Sequence, residues 1–239
     1  MKSVFSTLLV LVIGILNVSA QGDGTAEAAT PKGRVVWIAT TSIPDDLENP
    51  AMLLVNNKPR SITLSKRMSS GPIKIPQDGI IRMVRENPDQ DSPDAPPYLT
   101  LAQARIPENV NKALVILIPV AKKPGSDLMF QSKVQSLAGF KGGDNLYMNL
   151  TNVDVAVKLG DKSLRVKPGK YEIWQSPTLA KSTTMPVSYH YYHPVQEAWK
   201  LLSASTVVVR PTRREICIFS WDERYQRVRY HGVTFPVGQ

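Results

Sequence analysis

Apolar and polar residues alternate through most of the chain, most clearly over residues 145–174. There Val153, Val155 and Val157 alternate with polar or small side chains, which is the period-two pattern of a strand with one buried face. Turn signals separate such runs, at Gly160-Asp161 and again at Pro168-Gly169. The stretch is therefore predicted to form four short strands joined by turns.

The same pattern extends over the remaining chain and predicts further strands at residues 34–41, 51–55, 60–64, 73–75, 80–85, 98–104, 113–120 and 129–137. Residues 113–120 and 216–219 are almost wholly apolar. Such runs are tolerated where both faces of a strand are covered, so both are predicted to be central strands. Residues 194–203 fit either a helix start or a turn followed by a strand from Trp199.

The pattern repeats about a hundred residues later. Each of five segments in the first half matches one in the second, in the same order: 36–40 with 146–150, 55–58 with 159–162, 98–102 with 199–203, 115–119 with 216–220 and 129–134 with 228–233. The match at 98–102, with prolines just before it, favours the turn and strand at 194–203.

The predicted fold class is all-β, with two tandem β-sandwich halves from an internal duplication. The halves are placed at residues 34–138 and 139–239. Each has the size of an immunoglobulin-like or prealbumin-like sandwich, although the sequence signatures of both families are absent.

The first twenty residues read as a secretory signal peptide. Lys2 precedes an apolar run at 4–16, and Val18-Ser19-Ala20 resembles a cleavage site. An uncleaved membrane anchor is the alternative, but no later apolar stretch is long enough to span a bilayer. Residues 21–33 are predicted to be a flexible lead. The protein is therefore expected to be exported, to the periplasm, the cell surface or the medium.

The cysteine content and the net charge restrict the possible disulfide bonds and the possible binding partners. A single cysteine, Cys217, excludes an intramolecular disulfide, and its apolar neighbours indicate a small buried side chain. Loss of the signal peptide, which carries one Lys and no acid, lowers the formal net charge from +9 to +8, and most of this positive charge lies in residues 139–239. A basic surface favours the binding of polyanionic glycans or lipid headgroups, and nucleic acid is the least expected partner of an exported protein. The alternative is that the charge only maintains solubility.

Two groups of residues are candidate binding sites. The first is a set of arginines proposed to bind an anion and expected to be exposed: Arg213, Arg214, Arg224, Arg227 and Arg229. Arg227 and Arg229 alternate with apolar residues and should share one face. Cross-strand pairing with Glu215, Asp222 or Glu223 is the alternative.

The second cluster is a candidate aromatic platform for a sugar ring, formed by Tyr189, Tyr191 and Tyr192. His190 and His193 lie among these residues, but positions three apart on a strand point to opposite faces. A metal site is therefore not predicted, and no cofactor is expected.

Common hydrolase and phosphate-binding motifs are absent from the sequence. The predicted function is an exported non-catalytic envelope protein, a binding or scaffolding module with a basic C-terminal face. Its partner would be a polyanionic glycan or another envelope protein. The alternative is a glycan-acting enzyme with a groove between the two halves. A third possibility is assembly by strand addition, which would require a long unprotected edge.

Overall fold

The computed structural model describes residues 33–90 and 94–237. The predicted signal peptide, nearly all of the predicted flexible lead and residues 91–93 lie outside this part of the chain. The described part is all-β, as predicted, with sixteen strands. It contains no helix of the length and apolar character needed to cross a membrane.

The first half contains eight strands: β1 Val35–Thr40, β2 Ala51–Val55, β3 Lys58–Ile62, β4 Ile73–Lys74, β5 Ile80–Glu86, β6 Tyr98–Arg105, β7 Lys112–Pro119 and β8 Phe130–Ser136. The second half contains the other eight: β9 Asn145–Asn149, β10 Val155–Leu159, β11 Lys162–Val166, β12 Tyr171–Trp174, β13 Thr183–His193, β14 Ala198–Val209, β15 Arg213–Asp222 and β16 Arg227–Pro236.

Both halves have the same strand order. In the first half, β3-β2-β5-β6 form outer sheet 1 and β4-β1-β7-β8 form inner sheet 1. In the second, β11-β10-β13-β14 form outer sheet 2 and β12-β9-β15-β16 form inner sheet 2. Each strand of the first half thus corresponds to the strand eight places later. The correspondence includes the parallel pairs β1–β7 and β9–β15. The predicted repeat of strand order is confirmed.

Three apolar clusters show that the four sheets are stacked. One cluster lies between outer and inner sheet 1, and another between inner and outer sheet 2. The third joins the halves, because it contains Trp37 and Ile116 from inner sheet 1 together with Ile218 and Phe235 from inner sheet 2. The two inner sheets therefore pack face to face and share a core.

This stacking explains the apolar runs. In β7, Val115 contributes to the cluster within the first half, whereas Ile116 contributes to the cluster between the halves. In β15, Cys217 contributes to the cluster within the second half, whereas Ile218 contributes to the cluster between the halves. Successive side chains of a strand point to opposite faces, so a strand buried on both faces must be apolar throughout. The prediction that these are central strands is confirmed.

The halves differ in their connections. In the first half, residues 120–129 join β7 to β8, and the Met129 N–H donates to the Leu101 carbonyl (2.9 Å), so this segment covers part of the β6 edge. In the second half, residues 223–226 make a tight turn between β15 and β16. Residues 194–197 make another between β13 and β14, which confirms the predicted turn and strand there. The second half therefore has two long hairpins where the first has long loops.

Candidate functional site

The turn at 223–226 presents the basic residues of the final hairpin. The Asp222 carboxylate accepts hydrogen bonds from the N–H groups of Arg224 (3.1 Å) and Tyr225 (3.2 Å), which fixes the turn. Gln226 closes it with a positive φ of 48°. Because this carboxylate is used by the turn, it is not fully available to the arginines.

Arg224, Tyr225 and Arg227 form an exposed stack at this tip. Both guanidinium carbons lie over the Tyr225 ring, 5.3 Å from its centroid for Arg224 and 5.4 Å for Arg227. Tyr225 is 58% exposed. In the described part of the chain, no carboxylate lies within 4 Å of either guanidinium group. The stack therefore presents two uncompensated planar cations around one aromatic ring.

Arg229 is held more tightly than its neighbour Arg227. Its Nε donates to Ser220 Oγ (3.2 Å), and its guanidinium lies 3.8 Å from Asp222 Oδ2. Arg229 is thus exposed, as predicted, but it is partly paired with Asp222, which is the cross-strand pairing that the sequence offered as the alternative. Exposed pairs of this kind contribute little energy, so they leave the side chain able to change partner.

Arg213 and Arg214 lie at the opposite end of β15 from this tip. Arg213 pairs in register with Pro236, whereas Asp222 pairs with Arg227 at the other end. The expectation that Arg214 is exposed is wrong, because its guanidinium lies 4.1 Å from the Phe235 ring centroid and donates to the Phe140 carbonyl (3.3 Å). Burial lowers the pKa of Arg214 to about 10, so it stays protonated at neutral pH. Arg214 therefore stabilises the segment between the halves and does not belong to the tip.

The first half contributes more positive charge beside β16. The Thr234 N–H donates to the Arg67 carbonyl (2.8 Å), so the loop carrying Lys66 and Arg67 lies along this strand. Burial, together with the charges of Arg229 and Lys66, lowers the pKa of His231 in the same strand. We call Arg224, Tyr225, Arg227 and Arg229 the basic tip, with Lys66 and Arg67 at its margin.

Tyr189, Tyr191 and Tyr192 do not form a single platform. Tyr189 is buried against Phe219 (ring centroids 5.4 Å) and Tyr230 (4.7 Å). Tyr191 packs on the same cluster between the sheets. Tyr192 points to the other face, where its ring meets Trp199 at 5.8 Å. The predicted platform is corrected for this reason: alternation along β13 splits the three rings between two faces.

The histidines beside these tyrosines have local partners. His190 lies 3.2 Å from Ser188 Oγ, and the His193 ring accepts from the Gln196 N–H (3.3 Å) within the hairpin turn. Among residues 33–90 and 94–237, no group of three or more His, Cys, Asp or Glu side chains is placed to hold a metal ion.

A cavity of about 350 Å³ opens between the sheets of the second half, beside β14 and β16. Val207 and Val209 of β14, with Cys217, Tyr230 and other residues of both sheets, form its wall. Glu215 is the one carboxylate in this lining, and it accepts from Thr234 Oγ1 (3.1 Å). Burial raises the pKa of Glu215. Sequence reasoning did not identify this cavity.

A second cavity of about 370 Å³ lies on the first half, with Asp46, Glu48 and Glu86 among its lining residues. Asp46 forms an ion pair with Lys122 at 2.5 Å, and the hydrogen bond lowers the pKa of this carboxyl. All residues of the lining come from the first half. Between the halves, in contrast, the described residues form the apolar cluster shared by the inner sheets.

Comparison with known protein families finds no family model that matches this chain. Comparison with characterised proteins finds no similar sequence either. The function is therefore inferred from the geometry of the molecule.

Proposed function

We propose that this protein is an exported, non-catalytic binding module of the cell envelope that recognises a polyanion, such as an anionic glycan, at the basic tip. The supporting observation is the Arg224–Tyr225–Arg227 stack, in which two guanidinium groups lie about one exposed ring without a carboxylate partner in the described chain. Guanidinium groups bind sulfate, carboxylate and phosphate through paired hydrogen bonds, and the ring offers a flat face to a sugar. Export is proposed from the N-terminal sequence.

The alternative, a glycan-acting enzyme, has less support. Glycoside hydrolysis commonly uses two carboxyl groups facing one bond, one of them with a raised pKa so that it can donate a proton. In the acidic cavity of the first half, the pKa of Asp46 is lowered by Lys122, which is the opposite of what a general acid needs. In the cavity of the second half, Glu215 is the single carboxylate of the lining.

Origin by internal duplication and the immunoglobulin-like or prealbumin-like class are likewise proposals, supported by the repeated strand order.

The experiment is retention on a sulfated-polysaccharide column. We expect the double substitution Arg224→Gln and Arg227→Gln to elute at clearly lower salt than the wild type, because interactions of exposed charges are screened by salt. Its melting temperature should barely change, since both side chains are exposed.

The matched control removes the same charge elsewhere. Lys58→Gln with Arg60→Gln changes two exposed positions of β3, in outer sheet 1. This variant should elute close to the wild type. Equal elution of the two double variants would show that net charge, and not the basic tip, is responsible for retention.

A further inference from the structure

The outer edge of β14 has main-chain groups that no described strand pairs. The Gly160 N–H donates to the Pro186 carbonyl, so the main-chain carbonyl of Pro186 points toward β10. Main-chain groups alternate in direction along a strand, so the N–H and C=O groups of Val187 point toward β14, where Val187 pairs with Ser205. It follows that Ala204, Thr206 and Val208 direct their N–H and C=O groups away from β13.

Within residues 33–90 and 94–237, nothing gives this edge the protection usual for edge strands. Charged residues, prolines, bulges or covering segments normally prevent such strands from pairing with another chain. The segment Ser-Ala-Ser-Thr-Val-Val-Val at 203–209 contains no charge, proline or glycine, and the β-bulge of this hairpin lies before it. In the first half, the equivalent edge is partly covered through the bond between Met129 and Leu101. The short turn at 223–226 supplies no comparable segment to β14.

The cavity of the second half lies beside the same edge. The residues of β14 that face inner sheet 2 are Ser203, Ser205, Val207 and Val209, because they stand opposite the core-facing residues of β13. Val207 and Val209 line the cavity, so its opening lies beside the C-terminal part of this edge. A strand added to the edge would lie next to this opening.

We propose that β14 pairs antiparallel with β14 of a second copy of this chain, about a two-fold axis at Thr206. In this register, Ala204 and Val208 of one copy pair with Val208 and Ala204 of the other, and Thr206 pairs with itself. The register brings no two charged residues opposite each other between 203 and 209. Val207 and Val209 of the second copy then stand opposite Ser205 and Ser203, next to the opening of the cavity. The edge is thus complementary to itself, and this is why a second copy is the occupant.

The proposal is independent of the polyanion function and is tested through the mass of the full mature chain, by light scattering across a concentration series. We expect the wild type to reach twice the protomer mass. Thr206→Lys should be monomeric, because it places two like charges directly opposite each other. Thr206→Glu should also be monomeric, while an equimolar mixture of the two variants should regain the doubled mass.

A matched control uses the other edge of outer sheet 2. Ser163 lies on β11 with its main-chain groups directed away from β10, and Ser163→Lys should keep the wild-type mass. A monomeric wild type would overturn the proposal. If its amides at 204, 206 and 208 were also protected from hydrogen exchange, the edge would be covered by the chain's own residues. A dimer unaffected by Thr206→Lys, or a mixture that stays monomeric, would overturn it equally.

Discussion

Replacing Ile116 or Ile218 by Ala tests the shared core directly. Both side chains are completely buried, and both belong to the cluster between the inner sheets. The substitution removes three carbon atoms and leaves a cavity that the backbone cannot easily close, because β7 and β15 are each held by ladders on both sides. We expect each variant to lose ~2–4 kcal/mol of unfolding free energy. For a domain of this size, this corresponds to a decrease of roughly 5–15 °C in melting temperature.

Calorimetry is the assay, because it also shows whether the halves unfold together. A shared core predicts one transition, shifted as a whole by either substitution. Leu201→Ala, at a side chain that is 60% exposed, is the control and should change stability by less than about 0.5 kcal/mol. Two transitions, of which each isoleucine variant moves only one, would refute the shared core. Unchanged melting in both variants would refute their burial.

Two further predictions concern buried polar groups. Asn149→Asp should lower the free energy of unfolding, measured by chemical denaturation, by about 2–5 kcal/mol. The Asn149 amide donates to the carbonyls of Val153 (2.7 Å) and Val166 (2.8 Å), and a carboxylate cannot donate these bonds. Asn152→Asp, at an exposed position in the same loop, is the control and should leave the stability nearly unchanged. The second prediction concerns Glu215. Burial raises the pKa of its carboxyl group, so the folded protein holds the carboxyl proton more tightly than the unfolded chain does. Its contribution to stability is present below the ordinary Glu value of 4.5 and is lost as the pH rises through the raised pKa. Stability measured against pH should therefore fall less steeply above 4.5 in Glu215→Gln than in the wild type, and identical profiles would contradict the burial of the charge.

Strand alternation and turn residues were enough to predict the β architecture, the repeated halves and the central strands. The apolar runs at 113–120 and 216–219 correctly indicated strands covered on both faces. What covers the second face could not be deduced, because alternation reports that a side chain is buried but not which sheet lies against it. The packing of the inner sheets on each other is therefore known from the structure alone.

The candidate site was predicted only in part, although the errors had a signal in the sequence. Arg214 has the same parity as Ile216 and Ile218, so alternation already placed it on the buried face. Tyr189 and Tyr191 share parity with each other and not with Tyr192. The cavity beside β14 was not predictable in this way, because it depends on how the two sheets of the second half pack on each other.

Hydrogen–deuterium exchange with and without a sulfated polysaccharide tests the central functional claim most directly. We expect the polyanion to slow exchange in residues 222–230, with a smaller effect at 65–70, where Lys66 and Arg67 lie beside β16. In the variant carrying Arg224→Gln and Arg227→Gln, this protection should disappear at the same polysaccharide concentration. Protection confined to another surface, or none in the wild type, would contradict the assignment of the basic tip as the binding site.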